Sequence, residues 1–137
     1  MKLPFLYTKL LLVALVLLFG CSKRKEAGTE GEFVDYTSLR ADVVKRVQRG
    51  EIKPDEAGVV VLPQKLNMAS VDGRAYVSKS PTSGQLIAFK SMAGKIFGEG
   101  ILYAEKGISK DTTDIQVGPF TLAIRGRINE HWYRVGR

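Results

Sequence analysis

The chain has 137 residues, with 21 Lys and Arg against 14 Asp and Glu, a formal net charge of +7. It holds one Cys and one His, which excludes an internal disulfide, a zinc site built from a His/Cys cluster, and any Ser-His-Asp or Cys-His arrangement that does not run through His131. A chain of this length fits one domain better than two.

Lys2 and Lys9 accompany an unbroken apolar run from Leu10 to Phe19. A run of about ten suits the apolar stretch of an export signal, whereas a bilayer-spanning helix needs about 20 apolar residues. The run stops at Gly20-Cys21-Ser22, and Lys23-Arg24-Lys25 follow at once. Leu18, Gly20 and Cys21 resemble the lipobox of bacterial lipoproteins, in which Leu, a small residue and Gly or Ala precede a Cys; Phe19 stands where a smaller residue is usual. The resemblance covers only the first twenty-odd residues. It implies that residues 1–20 are removed as a signal peptide, that Cys21 carries diacylglycerol, and that the new amino terminus is often acylated. Ser22, rather than Asp, after the Cys implies an outer-membrane anchor facing the periplasm where the envelope has two membranes. Two or three acyl chains anchor durably where one is marginal, which gives the only Cys of an exported chain a use. The other reading is an uncleaved anchor helix extended back through Phe5-Leu6-Tyr7.

Ser22 to Glu32 has no apolar residue larger than Ala and reads as a disordered tether, so residues 21–32 form a lipidated Cys and its flexible leash. Eleven such residues have an r.m.s. reach of roughly 17–20 Å. Without Lys2 and Lys9, 19 basic residues face 14 acidic ones, a net +5. That balance suits an envelope of anionic phospholipid, lipopolysaccharide or wall polymer, and it also serves plain solubility.

Residues 33–137 read as a single α+β domain. Tyr36, Leu39, Val43, Val44 and Val47 recur at helical spacing, with Lys45, Arg46 and Arg49 in the last turn and Gly50 as the stop. Its Val content weakens intrinsic propensity, so this amphipathic helix depends on packing. Pro54-Asp55-Glu56-Ala57 allows a second helical turn. Short strands with Gly punctuation follow. Val59 to Leu62 is closed by Pro63, and Asp72-Gly73 is the strongest short hairpin signal, with Arg74 to Val77 leading away. Leu66 to Val71 fits either the partner strand or a short helical turn. Gln85 to Lys90, Gly100 to Glu105 and Asp114 to Val117 read as strands. Phe120, Leu122 and Ile124 then alternate, and Tyr133 and Val135 alternate on the return, as a terminal hairpin. The pattern predicts one helix followed by a mostly antiparallel small β-sandwich or half-open barrel, with the helix across one opening.

No catalytic set emerges from the residues, and no cofactor or metal is implied. His131, beside Trp132 at a hairpin turn, has no nucleophile elbow to serve. Gly94-Lys95 is followed by Ile96 where a phosphate loop needs Ser or Thr. Asp111 to Asp114 lacks the alternating carboxylates of a calcium loop and reads as a polar turn. Met92, Ile96 and Phe97 are more apolar than a solvated loop requires, so they either fold back on the core or form a contact patch. Tyr76, Tyr103, Trp132 and Tyr133 lie among Arg74, Arg125, Arg127 and Arg134. Such a mixture suits nucleic acid, but export makes that a poor partner, and the same chemistry serves glycans or anionic polymer. The expectation is a non-catalytic envelope lipoprotein, membrane-bound through its acyl chains. Arg125, Arg127, Arg134 and Trp132 form its candidate surface for an anionic polymer or another protein. The alternative is a small-ligand-binding or hydrolytic lipoprotein with a pocket near His131.

Overall fold

The computed structural model describes residues 35–94 and 96–137; the signal segment, Cys21, the tether and Lys95 lie outside the described residues. The helix α1 (Tyr36–Gln48) buries Val43, Val44 and Val47. It ends at Gly50 in a Schellman arrangement, where the Gly50 N–H donates to Val47 O at 3.1 Å and the Glu51 N–H to Arg46 O at 2.9 Å. Tyr36, at the other end of the same stripe, points out of the core and is exposed. No helix among the described residues is long and apolar enough to cross a membrane.

Seven strands follow: β1 (Val59–Val61), β2 (Arg74–Ser80), β3 (Gly84–Lys90), β4 (Glu99–Ala104), β5 (Asp114–Val117), β6 (Phe120–Arg127) and β7 (Trp132–Gly136). They form one antiparallel sheet in the order β1-β2-β3-β4-β7-β6-β5. Period-2 alternation divides the core in two. Ala75, Val77, Ile87 and Phe89 face outward and pack with Val43, Val44 and Val47 of α1. Tyr76, Leu86, Ala88, Leu102, Ala104, Tyr133 and Val135 face inward, where they meet Val117 and Leu122 from the far side of the sheet.

The sheet curls until β5 approaches β2 and β3 across this interior. The Gly118 N–H donates to Ser78 Oγ at 2.6 Å. Gly58 has φ +80°, and a Cβ there would stand 2.4 Å from Val77 O and 3.2 Å from Gly118 Cα, so the closure tolerates no side chain. Among the described residues the fold is therefore a seven-stranded half-barrel with one α-helix, and its single continuous sheet rules out the sandwich. The helix lies on the outer face of β1–β3, not across an opening.

Two local expectations are corrected. Pro54 to Ala57 is a turn and not a helix: Asp55 Oδ1 accepts from the Ala57 and Val59 N–H groups, both at 2.9 Å, and competes successfully with helical bonding. Asp72-Gly73 is not a two-residue hairpin. It closes a twelve-residue connection, residues 62–73, that contains a 3₁₀ turn at Asn67–Ala69.

Because Val44 is 5% exposed among apolar neighbours, Val44→Asp is expected to destabilise the chain by several kcal/mol, read as a lowered thermal midpoint. An unchanged midpoint would show that α1 is not docked.

Candidate functional site

The four residues of the expected binding surface do not stay together, and a single backbone irregularity is the reason. Between Ile124 and Gly126 the β6–β7 register slips: Ile124 faces Val135 while Gly126 faces Arg134. Arg125 is the extra residue of a β-bulge, so the alternation reverses beyond it and Arg127 pairs with Tyr133. Arg125 and Arg134 open onto one concavity of about 370 Å³, with Ser91, Glu99 and Ile101. Arg127 opens onto another, so Arg125 and Arg127, which would share a face on a straight strand, are separated.

In the first concavity, the Arg134 guanidinium lies over Gly126, where a Cβ would come within 2.7 Å of its Nη2. The Arg125 Nη2 donates to the Arg137 backbone oxygen. Neither guanidinium lies within 4.0 Å of an Asp or Glu carboxylate among the described residues, although Glu99 lines the same hollow and Arg125 is engaged by the Arg137 oxygen. Trp132, two residues from Arg134 on the same face, is half-buried. Its ring meets Tyr103 at 5.3 Å and stacks on Phe89 at 6.3 Å. Trp132 is therefore a wall of this face as much as a contact residue.

The second concavity, of about 500 Å³, lies near His131 and is lined by Lys106, Lys110, Arg127 and Glu130. Tyr133 builds its floor, accepting from the Ile108 N–H at 2.9 Å and donating to Glu130 O at 3.2 Å. His131 Nδ1 lies 3.3 Å from Ala104 O. Ser109 lines the same basin, but no hydrogen bond joins it to His131; its Oγ accepts from the Asp111 N–H at 3.5 Å. The geometry of a nucleophile and its base is not formed there.

The loop between β3 and β4 also divides. Phe97 is buried in the barrel against Tyr76 (6.0 Å) and Phe120 (5.4 Å), while Met92 and Ile96 are exposed. Phe97 leaves the expected contact patch and joins the core.

One polar cluster was missed in the sequence. Lys90 is 4% exposed, at an inward position shared with Leu86 and Ala88. Its Nζ donates to Gly94 O at 3.1 Å, lies 3.7 Å from Asp72 Oδ2, and sits over the rings of Phe120 and Tyr76 at 5.3 and 5.9 Å. Asp72 also accepts from the Tyr76 and Ser70 hydroxyls and the Arg74 N–H. Burial alone would raise the Asp72 carboxyl, but these donors and the Lys90 charge outweigh it and hold it below its ordinary range. Burial, and then the Asp72 carboxylate, push the Tyr76 phenol well above its ordinary range. A charged residue at a core-parity strand position was the available signal. The cluster's internal pairing makes it a structural clasp at the mouth of the half-barrel.

No group of His, Cys, Asp and Glu able to hold a metal occurs among the described residues. No family model matches the chain, and neither a curated protein nor a solved structure matches it. Fold and site thus define only a class, a helix-backed antiparallel half-barrel that carries an exposed Arg pair beside a half-buried Trp.

Proposed function

We propose that this chain is a lipid-anchored envelope module, tethered through Cys21, that binds an anionic envelope polymer or the acidic surface of another protein and performs no chemistry. The observation that carries the binding reading is the Arg125–Arg134 pair, opening on one concavity beside Trp132 with no Asp or Glu carboxylate within 4.0 Å among the described residues. Guanidinium groups of this kind suit phosphate and carboxylate recognition. The lipid anchor rests on the lipobox resemblance alone.

A second reading, capture of a small anion in the His131 basin, is favoured by the gathering of Lys106, Lys110 and Arg127 there. One experiment separates the two: pull-down of the lipid-free chain by wall fragments or anionic vesicles at low and high salt. Retention is expected to fall as the Debye length shrinks from roughly 10 Å at 0.1 M to about 3 Å at 1 M. Arg125→Ser with Arg134→Ser should remove it, and Arg127→Ser should leave most of it. The reverse pattern moves the site to the basin, and salt-independent retention assigns the charge to solubility alone. For the anchor, Cys21→Ser should abolish both fatty-acid labelling and the membrane retention that survives a high-salt wash.

A further inference from the structure

Six of the seven exposed large apolar residues among the described residues, Tyr36, Val61, Met68, Val71, Met92 and Ile96, lie at one end of the sheet. The ladders define that end. Val61 pairs with Arg74 at the start of β2, and the Val71 N–H donates to Lys90 O at 3.0 Å at the end of β3. Met92 and Ile96 stand in the loop that joins Lys90 to Glu99. Tyr36, Met68 and Val71 line one concavity of about 460 Å³. The seventh, Ile128, is at the opposite end, which is otherwise charged through Lys106, Lys110, Arg127 and Glu130.

We infer that the apolar end is a docking surface for the membrane that holds the anchor, an inference that rests on the tethered reading above. Two observations choose lipid over a second copy of the chain. The first is where the tether joins: Tyr36, part of the patch, is fifteen residues after Cys21, a path of no more than about 54 Å fully extended. The tether therefore joins the domain at the patch itself. The second is charge. Arg125 and Arg134 open onto the hollow that Ser91 and Gly98 share, at this same end. Apolar side chains flanked by Arg match the acyl–headgroup boundary of an anionic leaflet. Docked this way, the chain turns its Lys106–Arg127–His131 end away from the bilayer.

The test uses the lipidated full chain on vesicles of phosphatidylethanolamine and phosphatidylglycerol, with a thiol fluorophore at Met92→Cys or, in a separate chain, at Lys110→Cys. The Cys21 thiol is blocked by its lipid, so each chain has one labelling site. Lipids spin-labelled high on the acyl chain should quench the probe at 92 several-fold more than the probe at 110. Adding Tyr36→Ser, Met68→Ser and Val71→Ser should erase that difference while the protein still sediments with vesicles and keeps its circular dichroism. Equal quenching of the two probes on vesicle-bound chain overturns the docking surface, as does a difference that survives the triple substitution. Contact between 92 probes on separate chains, without lipid quenching, gives the patch to a second copy and also overturns it. Sedimentation unchanged by Cys21→Ser, with the 92 probe still selectively quenched, would sink the tether reading and leave the docking surface standing.

Discussion

Deleting Trp132 to Arg137 is expected to give an insoluble or proteolysed product. The segment is no tail, because β7 sits between β4 and β6 and hydrogen-bonds to both. Its loss exposes two ladders at once and detaches β5 and β6 from the rest of the sheet. It also removes buried Tyr133 and Val135, which pack inside the barrel with Leu102 and Leu122. Burial of each such side chain contributes about 1.5–3 kcal/mol, against a net domain stability of about 5–15 kcal/mol. The Tyr133 hydroxyl goes too, and leaves the Ile108 N–H without its acceptor. Solubility after expression and cooperative unfolding are the measurements. A soluble truncation with a single sharp transition would refute the placement of β7 as an interior strand between β4 and β6.

Asp72→Ala is expected to be more damaging than Lys90→Met, although the two side chains are partners. Lys90 is almost wholly buried, so removing Asp72 strands its ammonium with Gly94 O and two aromatic faces. Breaking a fully buried pair costs about 3–5 kcal/mol; the Asp72 side chain is 23% exposed, which reduces the expectation to about 2–3 kcal/mol. The loss of the acceptor for Tyr76 and Ser70 is part of that figure. For a domain of this size it corresponds to a drop of about 10 °C in midpoint. In Lys90→Met, by contrast, Asp72 keeps the Ser70, Tyr76 and Arg74 donors, and Met fills a comparable apolar volume. Thermal melts of both single variants and the double variant give the coupling. Equal losses, or none from Asp72→Ala, would show that the clasp does not hold the barrel mouth.

The same cluster sets a pH dependence. The folded state holds the Asp72 carboxyl low, so its contribution is present above the ordinary carboxylate value of about 4 and is lost as pH falls below it. Tyr76 is raised, so its contribution is present below about 10 and fades as pH rises above that. The Asp72→Ala chain should therefore lose part of the wild-type acid transition along with part of the alkaline one.

Period-2 alternation is a local property, and it reads faces correctly wherever strands run straight. Leu122, Tyr133 and Val135 alternate in the sequence and share the barrel interior, with Phe120 and Ile124 packed at its margin. Val43, Val44 and Val47 lie on one helical stripe and are buried together. Lys90 obeys the same parity as Leu86 and Ala88, so its burial was legible, though its partner was not. Asp72 reaches it from a connection whose path depends on a 3₁₀ turn and on β1 pairing with β2.

By itself, then, the sequence determined the faces of strands and helix, the terminal hairpin, the absence of a His/Cys metal set, and a lipobox-like segment that lies outside the described residues. Tertiary structure decided which arginines are neighbours. The bulge at Arg125 shifts the register of β6 against β7, a strand that is also paired with β4, and so turns Arg125 and Arg127 to different concavities. It also decided that Phe97 fills the barrel while Met92 and Ile96 stay outside, since the cavity Phe97 occupies is made by Tyr76 and Phe120, from strands far apart in the chain. Both outcomes rest on contacts between residues remote in sequence, to which a local pattern is blind.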